Sequence, residues 1–596
     1  MLTPRTRLAA LALLLVGCGS DDGGGTPPPG PCADTSQVLA FPTPAWQPAE
    51  KLAPPENDFA VAMVAEVKPK WAEQLALVDG WPARPTIVLP LDGAATAVDA
   101  AKLALYGAPP GEASADLGAS FSATLSDDGL TLIVQPRDPV PPGVDDAVLV
   151  VGSEALMDAK ALPACSAGKP HAGYAQAKGA LPPGTDAALA VPFRVASTAT
   201  DLAHLYERVS KKPVLKVAKA EARTLASFAE AAPPASVAAL LAPTAASGLL
   251  ELPAYADASG VMQRGADGAP EPTGVTKPGF VVALPAKGSA PFPYVLFQHG
   301  GGQKKTDFFQ LAGPLAEAGF AFVAIDLPLH GDRAGGSGGS DLDFVDFSDL
   351  GKTRDNFRQA VADHMAVLTG IAELDAALAP VLGVAKPLDP ARGFYMGLSL
   401  GGISGSMTFS TTTDVNAAAL FVAAAGYPEI VSKGLFAALV ANVVNRPTPE
   451  RETLLGLAEV VLDGADPFAY AQRVEDRAAK PRPALFMQAI ADPVIPEPSS
   501  DQWARAFGAD LALPKQHAVA GMEELALPAS DNFAFAAGGE KATRLLVQNP
   551  MNEIPAAGRH GALIVQEYSQ KAVAHCFATF LAKGSCELVD SGFASH

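Results

Sequence analysis

The chain has 596 residues, of which 49% are hydrophobic and only 18% charged, with 55 Gly and 54 Pro. That length accommodates two or three domains with buried cores, and that composition excludes a largely disordered chain. A formal net charge of −20 repels phosphate backbones, so nucleic acid is not an expected partner.

Arg5 and Arg7 precede an apolar run, Leu8 to Val16, that is too short to cross a bilayer. The run ends in Leu15-Val16-Gly17-Cys18, which resembles the bacterial lipoprotein lipobox. The resemblance implies a signal peptide over 1–17, with Cys18 as the lipidated first residue of the mature chain. A Gly/Pro/Ser/Asp tether follows over 18–31. Gly19, rather than aspartate, after that cysteine does not signal inner-membrane retention in lipoproteins. The expected location is therefore the bacterial envelope, lipid-anchored in the outer membrane, with the face left open. Four cysteines remain, which is consistent with an oxidising compartment and allows three pairings. Cys576 and Cys586 are close in sequence, and Cys32 and Cys165 bracket the first domain, so Cys32–Cys165 and Cys576–Cys586 are the expected bridges. Neither C-x-x-C nor a Cys/His cluster occurs, so zinc is not indicated.

Residues 32–190 read as β-rich. Short apolar runs at Thr86–Leu91, Lys102–Tyr106, Phe121–Leu125, Leu130–Val134 and Ala147–Val151 are separated by turn residues, and Asp127-Asp128-Gly129 is a hairpin signal. The expectation is a small all-β, Ig-like sandwich in which Trp71 and Trp81 are core residues. Residues 191–270 are Ala/Lys/Glu-rich and then Pro-rich, and read as a helical connector. From 271 to 596 strand-like and helix-like runs alternate. Phe280–Leu284, Tyr294–Gln298, Phe320–Ile325, Gly393–Met396, Ala418–Ala423, Ala484–Gln488 and Arg544–Gln548 are the predicted strands. Continuous apolar strands separated by helices imply a mostly parallel sheet covered on both faces. Between two of them, residues 429–476 carry apolar residues at helical spacing and are read as a helical cap, although the same pattern suits ordinary core-facing helices equally well.

The run Gly393-Phe-Tyr-Met-Gly-Leu-Ser399-Leu-Gly-Gly402 leads a short strand straight into Gly-x-Ser-x-Gly, the pattern of a strand-to-helix turn that lifts a serine above a sheet. A second match, Gly335-Gly-Ser337-Gly-Gly339, lies in a glycine-rich stretch with no strand before it and reads as a loop. Ser399 is therefore the candidate nucleophile. A serine hydroxyl needs a base, an orienting acid and donors for an oxyanion. Asp492, at the end of the predicted strand Ala484–Gln488 in Asp-Pro-Val-Ile-Pro, is the candidate acid, with Glu497 and Asp501 as alternatives. His560, in the loop after the last strand and before the amphipathic helix Gln566–Leu581, is the candidate base. His575 sits mid-helix and His517 precedes the last strand, so both rank below it. The Leu400 N–H and one from His299-Gly-Gly-Gly302, best assigned to Gly301, are the expected oxyanion donors. His299 and His330 read as turn organisers. The order Ser, Asp, His is that of the α/β-hydrolase fold. Asp341, Asp343, Asp346 and Asp349 lack the glycine and terminal glutamate of a calcium loop, so no metal is assigned, and the chemistry needs no cofactor.

Several segments together resemble bacterial lipoprotein lipases of the surface lipase/lysophospholipase type, which carry a "virulence factor lipase" N-terminal domain. They are Gly279-Phe-Val-Val-Ala-Leu-Pro285, Tyr294-Val-Leu-Phe-Gln-His-Gly-Gly-Gly302, Ala324-Ile-Asp-Leu-Pro-Leu-His-Gly-Asp-Arg333, Arg354-Asp-Asn-Phe-Arg-Gln359 and Gly397-Leu-Ser-Leu-Gly-Gly402. In the first half, Pro55-Glu-Asn-Asp58-Phe, Val78-Asp-Gly-Trp81 and Asp128-Gly-Leu-Thr-Leu-Ile-Val-Gln-Pro136 extend the likeness to most of the mature chain. The resemblance implies ester hydrolysis on acyl lipids by a lipid-anchored enzyme, with Ser399, Asp492 and His560 as the triad. The Gly-Gly-Gly after His299 is commoner in esterases, and the cap region matches nothing assignable, so chain-length preference stays open. The rival readings are a short-chain or polyester carboxylesterase and a catalytically inactive binding lipoprotein. A peptidase of the same fold is disfavoured because the N-terminal β region is too short for a propeller gate.

Overall fold

The computed structural model describes residues 69–589 apart from 76–77, 163–164, 167–168, 171, 258, 335–340, 472–480 and 535–538, together with Pro42. Cys18, the tether and the second Gly-x-Ser-x-Gly match lie outside the described residues. The Cys32–Cys165 pairing lies outside them too.

A twelve-stranded mixed sheet organises the chain. Its strands are β1 (Lys216–Thr224), β2 (Thr244–Ala254), β3 (Gly279–Ala283), β4 (Phe292–Gln298), β5 (Ala321–Ile325), β6 (Leu388–Leu398), β7 (Ala418–Phe421), β8 (Ala484–Ala489), β9 (Asp510–Ala512), β10 (Glu524–Leu525) and β11 (Arg544–Asn549), with Gly274–Thr276 paired to β2. The order is β1-β2-β3-β5-β4-β6-β7-β8-β11-β9-β10. The first three pairings are antiparallel and the rest parallel. Every position of β3, β5, β8 and β11 is buried, as strands covered on both faces must be. Alternate residues feed two cores: Phe280, Val282 and Leu296 on one face, Val281, Val295 and Phe297 on the other. Because β4, β6, β8 and β11 run parallel, the loops that leave their C-terminal ends meet at one edge, where this architecture places its sites.

The helices that matter for the site are α1 (Pro69–Leu75), α2 (Leu350–Thr369), α3 (Leu400–Thr411), α4 (Tyr427–Lys433), α5 (Thr448–Leu462), α6 (Glu497–Ala506) and α7 (Glu567–Lys583). α4, α5 and the short helices between them fill the space between β7 and β8, where the sequence suggests a cap. A disulfide joins Cys576 of α7 to Cys586. Among the described residues no single helix is long and apolar enough to cross a membrane.

Two sequence expectations need correction. The stretch 191–270 is not a helical connector. It contains the helix Thr198–Lys211, but β1 and β2 also lie in it and build the antiparallel edge of the central sheet. β1 reads Lys-Val-Ala-Lys-Ala-Glu-Ala-Arg-Thr and has no buried position. An edge strand of helix-forming residues carries no apolar alternation, and only its pairing with β2 defines it. The N-terminal part, in turn, is not all-β. Two antiparallel sheets, one of three strands and one of four, stand beside α1 and the helix Ala172–Ala180. Its last strand, Leu189–Arg194, runs past the boundary drawn at 190. One apolar core is continuous from Trp81, Ile87 and Leu132 of this part to Leu454 of α5 and Phe357 of α2, so its elements pack directly on the cap.

Candidate active site

β6 ends at Leu398, and Ser399 takes φ 53° and ψ −114° before α3 begins at Leu400. A non-glycine residue in that region costs about 1–3 kcal/mol and is held there by its surroundings. The Ser399 N–H donates to the Phe421 carbonyl of β7 at 2.9 Å, and the Tyr395 hydroxyl donates to the Gly401 carbonyl at 2.7 Å. Any Cβ on Gly397 would collide with the Gly401 carbonyl, and any on Gly401 with the carbonyls of Gln298 and His299. The two glycines of the motif are thus required by close backbone approach.

The three candidate residues converge on this turn. His560, in the short helix Arg559–Ala562 after β11, places Nε2 2.8 Å from Ser399 Oγ and Nδ1 2.8 Å from Asp492 Oδ2. The other Asp492 oxygen accepts the N–H groups of Val494 (2.8 Å) and Ile495 (3.1 Å), which fixes the carboxylate. Asp492 is almost fully buried, whereas the imidazole keeps 18% of its surface exposed. Arg559 ties the histidine turn to the acid strand by donating to the carbonyls of Ile490 (2.8 Å) and Ile554 (2.9 Å).

The alternative residues are engaged elsewhere. Asp501 Oδ2 lies 2.7 Å from His517 Nε2, and Glu497 accepts the Ala491 N–H at 2.8 Å. His575 faces Glu587 at 3.4 Å. His299 is buried, its Nδ1 2.7 Å from the Gly300 carbonyl, while its Nε2 accepts the Leu327 N–H at 3.1 Å. Burial pushes its pKa down to about 4, so it is a neutral brace between the ends of β4 and β5. His330 is likewise buried, with Nδ1 2.9 Å from the Pro328 carbonyl. His364 of α2, which the sequence reading passed over, bridges Thr408 and Gln298 at 2.8 Å each, and burial lowers its pKa to about 3.

Gly300 packs against the nucleophile: a Cβ there would stand 3.1 Å from Ser399 Cβ. Its N–H is taken by the Gln303 side chain at 2.8 Å. Among the described residues the N–H groups of Leu400 and Gly301 donate to no acceptor, and both residues line the cavity that holds Ser399 and His560. Gln303 was not anticipated; its position just after the glycines was the available signal.

That cavity measures about 260 Å³ and is walled mainly by apolar side chains, among them Phe357 of α2, Tyr427 and Ile430 of α4 and Leu455 of α5. Trp71, read from sequence as a core residue, also lines it. Among the described residues no group of three or more His, Cys, Asp or Glu is arranged to hold a metal ion. Asp346 accepts from Ser348 at 2.6 Å, and Asp349 caps α2 at the Lys352 N–H.

Residues 295–558 match the model of the alpha/beta hydrolase family. No curated protein matches the chain. Similar solved structures include the acylaminoacyl peptidase of Pyrococcus horikoshii, at 14% identity and TM-score 0.31 over 54% of this chain and 40% of that one. Acetyl xylan esterase 1 from Thermoanaerobacterium sp. JW/SL YS485 matches at 16% identity and TM-score 0.33, over 61% of this chain and 93% of that one. The acetyl xylan esterase from Paenibacillus sp. R4 matches at 16% identity and TM-score 0.30, over 55% and 87%. The chain thus spans two fifths of the peptidase's length. The match of residues 295–558 to the alpha/beta hydrolase family model agrees with the crossed strand order of the sheet and with the nucleophile-type turn after β6.

Proposed function

We propose that this protein is a serine ester hydrolase acting on acyl esters of the lipase or lysophospholipase kind, secreted and held at the outer membrane by a lipid on Cys18. The observation that carries the reading is the chain of two 2.8 Å contacts from Asp492 through His560 to Ser399, opening onto an apolar cavity. Ser399 Oγ attacks the ester carbonyl as His560 Nε2 takes its proton. Asp492 holds the imidazole by Nδ1–H and stabilises the imidazolium. The Leu400 and Gly301 N–H groups receive the tetrahedral oxyanion, a contribution of about 100- to 1,000-fold per donor in such sites. His560 then protonates the leaving alcohol and draws a proton from the water that releases the acid. A cavity with this lining favours a hydrocarbon acyl group over a sugar or a charged peptide.

The test is twofold. A fluorophosphonate probe labels the wild-type protein but not Ser399→Ala; equal labelling of both rejects the nucleophile. A p-nitrophenyl ester series from acetate upward, with lysophospholipid alongside, tests the substrate. Rates that fall steadily beyond butyrate, with lysophospholipid untouched, reject the lipid-acting assignment in favour of a short-chain carboxylesterase.

A further inference from the structure

We infer that Trp71, carried by α1 in the N-terminal part of the chain, forms a wall of the acyl cavity and sets the length of acyl chain that the site accepts. The inference rests on the hydrolase reading above and assigns a specificity role to a part of the molecule that contributes nothing to the Ser–His–Asp contacts.

The indole is 2% exposed and lines the same cavity as Ser399 and His560. Its one polar atom is turned aside: Nε1 donates to the Phe347 carbonyl at 3.2 Å, which leaves the cavity an apolar ring with no unmet hydrogen bond. The Phe347 ring in turn lies 5.5 Å from that of Phe436, between α4 and α5. Three aromatic residues from three separate stretches of sequence therefore join at this wall.

The wall is also fixed in place. On one side of the tryptophan, Lys70 Nζ reaches Asp349 Oδ2 at 2.9 Å. On the other, the Gln74 side-chain amide donates to Asp349 Oδ1 and accepts the Gly351 N–H, the latter at 2.9 Å. Asp349 is the residue that caps α2, so α1 is fastened on both sides of Trp71 to the turn where α2 begins to line the cavity. Gly351 makes this possible, since a Cβ there would lie 2.6 Å from the Gln74 amide nitrogen. A large flat side chain held this way cannot swing aside for a longer substrate, because α1 itself is packed against α2 and α5.

In an apolar pocket, room for or exclusion of one methylene changes kcat/KM by about 10- to 200-fold. The experiment measures kcat/KM over p-nitrophenyl esters from butyrate to palmitate for wild type, Trp71→Phe and Trp71→Ala. In parallel, calorimetry follows binding of butyrate, octanoate and palmitate to Ser399→Ala with and without Trp71→Ala. The expected result is that Trp71→Ala raises the ratio of palmitate to butyrate activity by about 10-fold or more. Trp71→Phe should move it less in the same direction, and fatty-acid affinity should shift in parallel. Ser399 should still become labelled by a fluorophosphonate in the folded Trp71 variants, which shows that the nucleophile is intact. A chain-length profile that is unchanged, or that falls by one common factor at every length, overturns the inference. If Trp71→Ala does not fold, Trp71→Phe decides the matter alone. If no ester is cleaved and no probe attaches while fatty-acid binding still follows Trp71, the hydrolase reading fails and the wall stands.

Discussion

His517 Nε2 lies 2.7 Å from Asp501 Oδ2, so the fold holds a second histidine–carboxylate pair in addition to His560 and Asp492. The two pairs are connected: His517 Nδ1 is 3.5 Å from Glu497 Oε2, and the other oxygen of Glu497 accepts the N–H of Ala491, next to the candidate acid. Among the described residues no serine hydrogen-bonds to His517, whose Nε2 also meets the Gln548 side-chain amide at 3.0 Å. It is a support for the acid loop. His560→Ala should lower kcat by about 10,000-fold or more, and Asp492→Asn by a comparable factor through loss of the correct tautomer. His517→Ala should stay within about 10-fold of wild type, at some cost in melting temperature. Steady-state kinetics on a soluble p-nitrophenyl ester separates the three; loss in His517→Ala as deep as in His560→Ala reverses the assignment.

Much of this was legible in the sequence, and the division has a physical basis. β3, β4, β5, β7, β8, β11 and the second half of β6 are short buried runs, and burial on both faces writes itself as continuous Val, Phe, Ala and Leu. The candidate triad residues were legible because each lies in a connection that follows such a strand, Ser399 directly after β6, Asp492 just beyond β8 and His560 in the short helix after β11, where the fold delivers loops to one edge. β1 was not: an exposed edge strand of Lys, Ala, Glu and Arg has the composition of a helix, and its identity lies in a partner some twenty residues away. Trp71 is the buried core residue that the sequence suggested, but its second role at the cavity wall was not legible. A buried tryptophan looks the same in sequence whether it faces a filled core or a cavity, and only the packing of α1 against α2 distinguishes them. The α4–α5 region showed its helical spacing, but the same spacing suits an ordinary core helix.

Gly401 offers a test of the turn itself. A Cβ at this position would press on the Gln298 and His299 carbonyls, so Gly401→Ala should drive α3 away from the end of β4 and separate the two groups assigned to the oxyanion, Leu400 on α3 and Gly301 in the loop after β4. The expectation is a loss of roughly 1–3 kcal/mol in stability and at least a 100-fold fall in kcat. Gly558→Ala is the control, since its Cβ would meet only Ile554 at an ordinary 3.5 Å. Denaturant melts and kinetics of the two variants provide the check, and a fully active Gly401→Ala contradicts the close approach.

The Cys576–Cys586 bridge closes a loop of sequence separation 10 and ties the buried face of α7 to Cys586, whose carbonyl accepts the Thr543 hydroxyl beside β11. Loop-closure entropy assigns such a crosslink roughly 2–3 kcal/mol. The double variant Cys576→Ser, Cys586→Ser should lose that much stability in urea melts, and reductant should lower the wild type to the same level without affecting the variant. Activity at ambient temperature should persist, because neither cysteine lines the cavity.

The seam between the N-terminal β part and α5 predicts a pH dependence. Glu459 is buried there, accepting from the Thr86 N–H at 3.2 Å and hydroxyl at 3.1 Å. The Arg84 guanidinium faces it, itself buried over the Phe468 ring, as does the Asp466 carboxylate. Asp463 accepts from the Thr198 hydroxyl at 2.6 Å, with Asp466 and Asp79 as its charged neighbours. Burial pushes Glu459 up to about 8 and Asp463 up to about 7, against ordinary values of 4.5 and 3.8. The sign follows from proton binding. Between the unfolded and folded values the native state holds protons that the unfolded chain has already released, so stability is full below about pH 4 and declines as pH rises toward 8. The loss is on the order of a few kcal/mol, or several degrees in Tm. Glu459→Gln, which keeps an oxygen for Thr86 but does not titrate, should flatten the decline between pH 5 and 9. Thermal melts across that range decide it: a wild-type Tm that rises toward pH 8, or a Glu459→Gln profile parallel to wild type, shows that the seam carries charged rather than neutral acids.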